Sequence, residues 1–354
     1  MFDGSTKPSD KNEFLCDRTL ASIVRVKKIY PIAGADLIVL AEIKGWRCVV
    51  KKDEFKEGDF GVYLAIDSIP DLSDPNTSFI KEKGGRIKTI KLRGVISQGL
   101  LGPLQWLESR GVDISTLKED DDVTVQMGVT KYVPNEELVQ YSKGVPGETI
   151  PFPITVRKTD EKRLQDNPAF LEDIKDRQIV ITRKEDGCSC TIICDNGNFK
   201  ICSRNYELLK PTTTSGHYFQ VCEKFKLEEK MKALKLNIAI QGEIIGPKIN
   251  ANRLKQNAYS IRVFNVWDID KQCYMNYSSV TSMCDSLGID QVPLIFKGIY
   301  DPLRLNLDHF LELADLQEYT KGNPAEGIVV KTDDDGLRIS FKVISNKYLL
   351  GHKL

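Results

Sequence analysis

The sequence of 354 residues has no run of 18 or more apolar residues, so no membrane-spanning helix is expected. It has no net charge either. Lys and Arg total 50, as do Asp and Glu, so any basic surface for a polyanion must be local. Histidine is scarce, at three residues (His217, His309, His352), and none of the nine cysteines forms a Cys-x-x-Cys pair. Both facts argue against a zinc site. Scattered cysteines without a framework read as free thiols in a reducing compartment. There is no Walker loop, dinucleotide fingerprint, internal repeat or low-complexity tract. The start, MFDGSTKPSDKNEF, is neither a secretory signal nor an Arg-rich transit peptide, and it is expected to be loose. A soluble intracellular protein, in cytoplasm or nucleus, is the expectation.

What is present suffices for two cores: 41% of the residues are hydrophobic. From Ala21 to about Val129 the pattern is one of short strands. Ser22–Val26, Leu37–Ala41, Arg47–Val50 and Gly61–Ala65 are separated by turn signals at Pro31, Gly34, Gly58 and Gly84-Gly85. Strands at this spacing suggest a small sandwich or barrel, a common platform for single-stranded nucleic acid. Lys81 to Arg93 carries six basic residues against one acid, Glu82. It reads either as a solvated edge strand or as a phosphate-contact surface, the second favoured because the excess is so local. Arg86, Lys88, Lys91 and Arg93 are its RNA-contact candidates. Val133-Pro134-Asn135 and the Pro- and Gly-rich stretch Lys143–Pro153 mark a boundary near residue 145, giving domains 1–145 and 146–354.

The second segment mixes elements. Strands are expected at 178–183, 189–194, 199–203, 238–245, 260–269 and 327–331. Helices are expected at 166–175, 218–236, 278–288 and 308–319, the last with Asp308 as N-cap. This is an α+β pattern with an antiparallel-rich core, not a regular βαβ alternation.

Within it, ITRKEDGCSCTI (181–192) interrupts a strand pattern. Asp186-Gly187 signals a hairpin, which would leave Lys184 a solvated charge; alternatively, the turn presents Lys184 as a nucleophile. Four further stretches follow in chain order. They are Ser203-Arg204-Asn205; Gln241-Gly242-Glu243-Ile244-Ile245-Gly246; Phe264-Asn265-Val266-Trp267-Asp268; and Glu326-Gly327-Ile328-Val329-Val330-Lys331, with Ser340-Phe341-Lys342 after it. No single stretch is specific. The ordered set resembles the covalent lysyl-nucleotidyltransferase superfamily of DNA ligases, RNA ligases and mRNA capping enzymes. Arg157–Gln165 (RKTDEKRLQ) and the N-terminal strand module look like the Deinococcus-type RNA ligases (RNA ligase 5). There an OB-fold module precedes the nucleotidyltransferase domain.

The resemblance implies an OB-like β-barrel followed by a ligase-type nucleotidyltransferase domain. It implies an ATP-dependent polyribonucleotide ligase that seals 3′-hydroxyl and 5′-phosphate ends through a lysyl-AMP. Lys184 would attack the α-phosphate, with Lys331 and Lys342 stabilising charge there. Arg163, Asp186, Gly187, Arg204, Glu243, Phe264 and Glu326 would bind the nucleotide, Phe264 by stacking on adenine. Asp186, Glu243 and Glu326 would also serve Mg²⁺ or Mn²⁺. Lys184 must be neutral to attack, and neighbouring cations with partial burial are expected to lower its pKa. The expected partners are RNA ends or a nicked RNA-containing duplex, with the protein a monomer. One departure stands out: many relatives carry Lys-x-Lys where this chain has Ser340 and Lys342, so Arg338 or Lys347 is a candidate stand-in. The alternatives are a GTP-dependent capping-type guanylyltransferase, a DNA ligase and a non-catalytic RNA-binding relative.

Overall fold

The computed structural model describes residues 18–132, 147–334 and 336–351. It divides into two compact units, 1–132 and 133–354. The boundary expected near 145, most of the linker, the first 14 residues and His352 lie outside the described residues.

In the first unit five antiparallel strands lie in the spatial order Trp46–Lys51, Ile38–Ile43, Ala21–Pro31, Phe60–Leu64, Leu100–Pro103. Ala21–Pro31 pairs with Phe60–Leu64 through its first half and with Ile38–Ile43 through its second. The register breaks between Val26 and Lys28, as at a bulge that bends a strand. The edge strand Trp46–Lys51 also meets the hairpin of Thr89–Leu92 and Val95–Gln98. There the Cys48 thiol donates to the Gln98 carbonyl at 3.1 Å, and the Val49 N–H donates to Ser97 Oγ at 3.0 Å. The sheet thus curls into a small barrel around Ile23, Val62, Leu64, Leu107 and Met127. All four strands expected between residues 22 and 65 are present.

The second unit carries two sheets. The larger runs Thr149–Pro151, Tyr206–Leu208, Asn198–Cys202, Cys188–Asp195, Ile238–Ile245, Ser260–Asp268, Cys273–Tyr274, with Asp290–Gln291 also paired to Ser260–Asp268. Its apolar face packs against the helices Gly216–Lys224, Leu227–Leu234 and Tyr277–Leu287. The smaller sheet runs Lys162–Arg163, Ser340–Ile344, Gly327–Thr332, Gln178–Lys184, Leu294–Ile299. Its apolar face packs against the helix Leu307–Asp315.

Alternation along the smaller sheet decides what faces the other way. Ile179, Ile181, Ile328, Val330, Phe341 and Val343 are fully buried in the core. At about 1.5–3 kcal/mol for each such side chain, this burial fixes the phase of three strands at once. Lys184, Lys331 and Lys342 therefore fall on the opposite face.

Four expectations need correcting. First, Gln178–Lys184 and Cys188–Asp195 are not a hairpin: they belong to different sheets, and Glu185-Asp186-Gly187 carries the chain between them. A Cβ on Gly187 would lie 2.3 Å from the Ile244 carbonyl oxygen, so this crossing needs glycine. Second, the helix expected at 218–236 is two helices, split by left-handed Lys226. The break resets the helical phase, so that Leu227 and Met231 reach the core that Tyr218 and Val221 already face. Third, the helix expected at 308–319 is Leu307–Asp315, with Asn306 rather than Asp308 as N-cap; Glu318–Thr320 is a strand. The Asn306 side chain accepts from the His309 N–H at 3.1 Å, and His309 Nδ1 accepts from the Asn306 N–H at 3.3 Å. Fourth, the helix expected at 166–175 is a single turn, Phe170–Asp173.

Candidate active site

Strands of both sheets line one cleft, and Lys184, Arg204, Glu243, Phe264, Lys331 and Lys342 all face it. Lys184 ends its strand opposite Gly327 and donates from Nζ to Glu326 Oε2 at 2.7 Å. Its side chain is 22% exposed. Burial alone would push the ammonium toward neutrality, but Glu326, Glu243 and Asp186 outweigh it and hold Lys184 above the usual lysine range. The expectation that neighbouring cations lower this pKa is therefore corrected: the nucleophile candidate sits in an acidic pocket, because acids 59 and 142 residues away in sequence converge on it.

Glu243 is pushed up to about 8, first by burial and then, against the pull of Lys184, by Glu326 and Asp186. Its Oε2 is buried without a hydrogen-bond partner. Asp186, also raised by burial and by Glu326, is turned toward protein donors. Asn250 Nδ2 donates to it at 2.8 Å and the Tyr348 hydroxyl at 2.9 Å, with Arg253 Nε 3.6 Å away. Asp186 and Gly187 thus shape the crossing behind Lys184. Among the described residues no three His, Cys, Asp or Glu side chains form a ready metal cage. The oxygen-only donors, with the orphaned Glu243 oxygen, fit a hard divalent cation that keeps most of its ligands as water.

The opposite end of the cleft is basic. Lys331 is buried and donates to the Phe264 carbonyl at 2.7 Å and to Asn265 Oδ1 at 2.9 Å. Burial, reinforced by Arg338, lowers its pKa to about 7. Arg338 donates to the same Asn265 oxygen at 2.6 Å and stacks 3.9 Å from the Tyr274 ring. Lys342 is lowered to about 8 by burial and by the charge of Lys184. Its register neighbour is Arg163. Ser340 faces Lys331 across the strand pair, and its hydroxyl is buried without a partner. Of the two stand-in candidates, Arg338 lies beside Lys331, whereas Lys347 is exposed on the helix Asn346–Gly351.

Phe264 occupies a register break: Gln241 pairs with Asn265 and Gly242 with Val263, leaving Phe264 as the extra residue. The bulge turns its ring into the cleft, while Val266 and Trp267 pack into separate cores. Sequence reasoning missed Tyr319. Its hydroxyl donates to the Lys184 carbonyl at 2.8 Å and accepts from the Glu326 N–H at 3.1 Å, tying the two residues together.

The RNA-contact candidates belong to the first unit. Arg86 is committed internally, paired with Asp67 at 2.7 Å and lying 4.0 Å over the Tyr132 ring. Lys88 is half-buried, and Lys91 and Arg93 are exposed on the hairpin beside exposed Ile90 and Leu92.

A family model described as RNA ligase matches residues 177–344, and an OB-fold domain model matches residues 20–104. Among solved structures, a mutant of the Naegleria gruberi RNA ligase with ATP and Mn is 32% identical at a TM-score of 0.82, covering 94% of this chain and 99% of that one. The same ligase with pyrophosphate is 34% identical at 0.82, covering 95% and 99%. A further mutant with AMP and Mn is 33% identical at 0.82, again covering 95% and 99%. No curated protein matches.

Proposed function

The chain belongs to the RNA ligase family, and we propose on that premise that it is an ATP-dependent ligase working through a lysyl-AMP. The observation that carries this is Lys184, held at a strand end against Glu326 at 2.7 Å in a cleft whose other end is cationic. In the first step the Lys184 amine forms a P–N bond to the α-phosphorus of ATP, the bond to the β-phosphate oxygen breaks, and pyrophosphate leaves. Glu326 is placed to take the proton that Lys184 must lose. Lys342 and Lys331 meet the charge that builds on the phosphate. Arg163 and Arg204 hold phosphates through their planar forks. Phe264 stacks on adenine, while Glu243 and Glu326 serve ribose and metal. Bound Mg²⁺ or Mn²⁺ supplies positive charge that offsets these carboxylates and the reacting phosphate. AMP then passes to an RNA 5′-phosphate, and a 3′-hydroxyl displaces it to form the phosphodiester.

The finer reading is a Deinococcus-type (RNA ligase 5) polyribonucleotide ligase, acting as a monomer in cytoplasm or nucleus. The subtype is supported by the OB module placed ahead of the nucleotidyltransferase domain. No helix among the described residues is long and apolar enough to cross a membrane. Lys88, Lys91 and Arg93 would grip RNA phosphates, with Arg86 bracing the stretch that leads into the hairpin.

The test is incubation with α-labelled ATP and Mg²⁺ or Mn²⁺, with labelled GTP beside it. A protein label from ATP that survives alkali and is released by acid identifies the phosphoramidate. Label from GTP alone, or none from either after bound AMP is stripped with pyrophosphate, defeats the reading.

A further inference from the structure

Asp160 lies in the stretch 154–161, which has no regular secondary structure. Its carboxylate is divided between two cations of the cleft. Arg204 Nη2 donates to Oδ2 at 2.9 Å, and Lys342 Nζ stands 3.6 Å from Oδ1. Lys342 lies on a strand of the smaller sheet, whereas Arg204 follows the strand Asn198–Cys202 of the larger one. One acid therefore spans the two walls. All three residues line the cleft with Lys184.

A carboxylate between a guanidinium and an ammonium has the charge, and two of the oxygens, that a phosphate would bring to the same donors. The pairing is also easy to undo. Asp160 is 51% exposed and Arg204 40%, so their contact is a screened surface pair, and the carboxylate stands at 3.6 Å from the more buried Lys342, beyond hydrogen-bond distance. No strand ladder holds Asp160 in place.

We propose that Asp160 is a displaceable stand-in for phosphate. In the nucleotide-free protein it closes Arg204 onto Lys342, and a phosphate group of the incoming nucleotide replaces it. The inference rests on the cleft being a nucleotide site. It adds that the empty site is occupied by its own side chain, which lowers the apparent affinity for phosphates by the fraction of molecules in the closed state. Asp160 then acts against binding, although it sits among the groups that bind.

The measurement is a calorimetric titration of the full chain, freed of AMP, with pyrophosphate in Mg²⁺ at fixed pH. Asp160→Asn keeps the size and removes the charge. Asp173→Asn, an exposed acid on the helical turn Phe170–Asp173 and outside the cleft lining, is the control for net charge. The expected result is a pyrophosphate Kd roughly three- to tenfold tighter in Asp160→Asn, with no change in the control. The gain should shrink as salt screens the pairs. An unchanged Kd makes the contact incidental and overturns the proposal. A weaker Kd overturns it too, because Asp160 would then help to hold the ligand or its metal. Lysine labelling by ATP is read separately, so a failure of the ligase reading shows there and not in the titration.

Discussion

Three lysines line one cleft, and their pKa values move in opposite directions. Burial pushes all three toward neutrality. At Lys184 that push is overcome by Glu326, Glu243 and Asp186, and the ammonium is stabilised. At Lys331 it is reinforced by Arg338, and at Lys342 by Lys184 itself, so these two fall to about 7 and about 8. The difference separates two jobs. The proposed nucleophile, Lys184, is held as an ammonium ion, and its release needs something to compensate the acids around it. Lys331 and Lys342, the proposed phosphate contacts, lie near neutrality, so their charge is taken up when an anion arrives. Residue type does not assign these roles; the neighbours do.

The most severe way to probe the acidic end is to remove its lysine. Lys184→Ala should abolish the covalent AMP label altogether, because it removes the amine proposed to form the bond to phosphorus. Neutralising an acid tests what the acids are for. In Glu326→Gln and Glu243→Gln the lysine is freed from one carboxylate, so the rising limb of the adenylation pH profile should move to lower pH. The maximal rate should nevertheless fall on the order of a hundredfold if these carboxylates hold metal and ribose as proposed, since each would then lose an oxygen ligand. A faster enzyme at every pH would mean that the acids only restrain Lys184. At the basic end, Lys342→Met should cost roughly tenfold in adenylation at low and at saturating ATP alike, the signature of an interaction made with the charge that builds in the transition state. A loss confined to low ATP would move Lys342 into the group that only binds the ground state.

This division was only half legible in the sequence. Strand alternation places Lys184, Lys331 and Lys342 on one face, because Ile179, Ile181, Ile328, Val330, Phe341 and Val343 must share the other. Sheet membership was not legible. Asp186-Gly187 has the residue chemistry of a hairpin, and nothing local says that the chain crosses to a second sheet there. The sign of the Lys184 shift was misjudged for the same reason, since Glu243 and Glu326 reach it from 59 and 142 residues away. Tyr319 and Tyr348 brace the site from 135 and 162 residues away and carry no local pattern. The helix break at Lys226 was hidden because the apolar residues on both sides reach one core only after a shift of phase.

The smallest effect tests the basic end by itself. Sulfate is the probe, because its own charge is constant between pH 6 and 9. Lys331 and Lys342 have folded-state pKa values of about 7 and about 8, below the usual lysine value, so each loses its proton as the pH rises through that value. Anion binding uses the charged form. Sulfate affinity of the nucleotide-free protein should therefore be highest below pH 7 and fall through pH 7 and again through pH 8, by up to about tenfold per unit for each proton lost. Lys184 contributes no slope, since its acids keep it charged throughout. In Lys342→Met the fall through pH 8 should shrink to what Glu243 contributes as it gains charge over the same range, while the fall near pH 7 remains. A flat profile from pH 6 to 9 in the unmutated protein would mean that all three lysines are held as ammonium ions, and the contrast between the two ends would reduce to the acids alone.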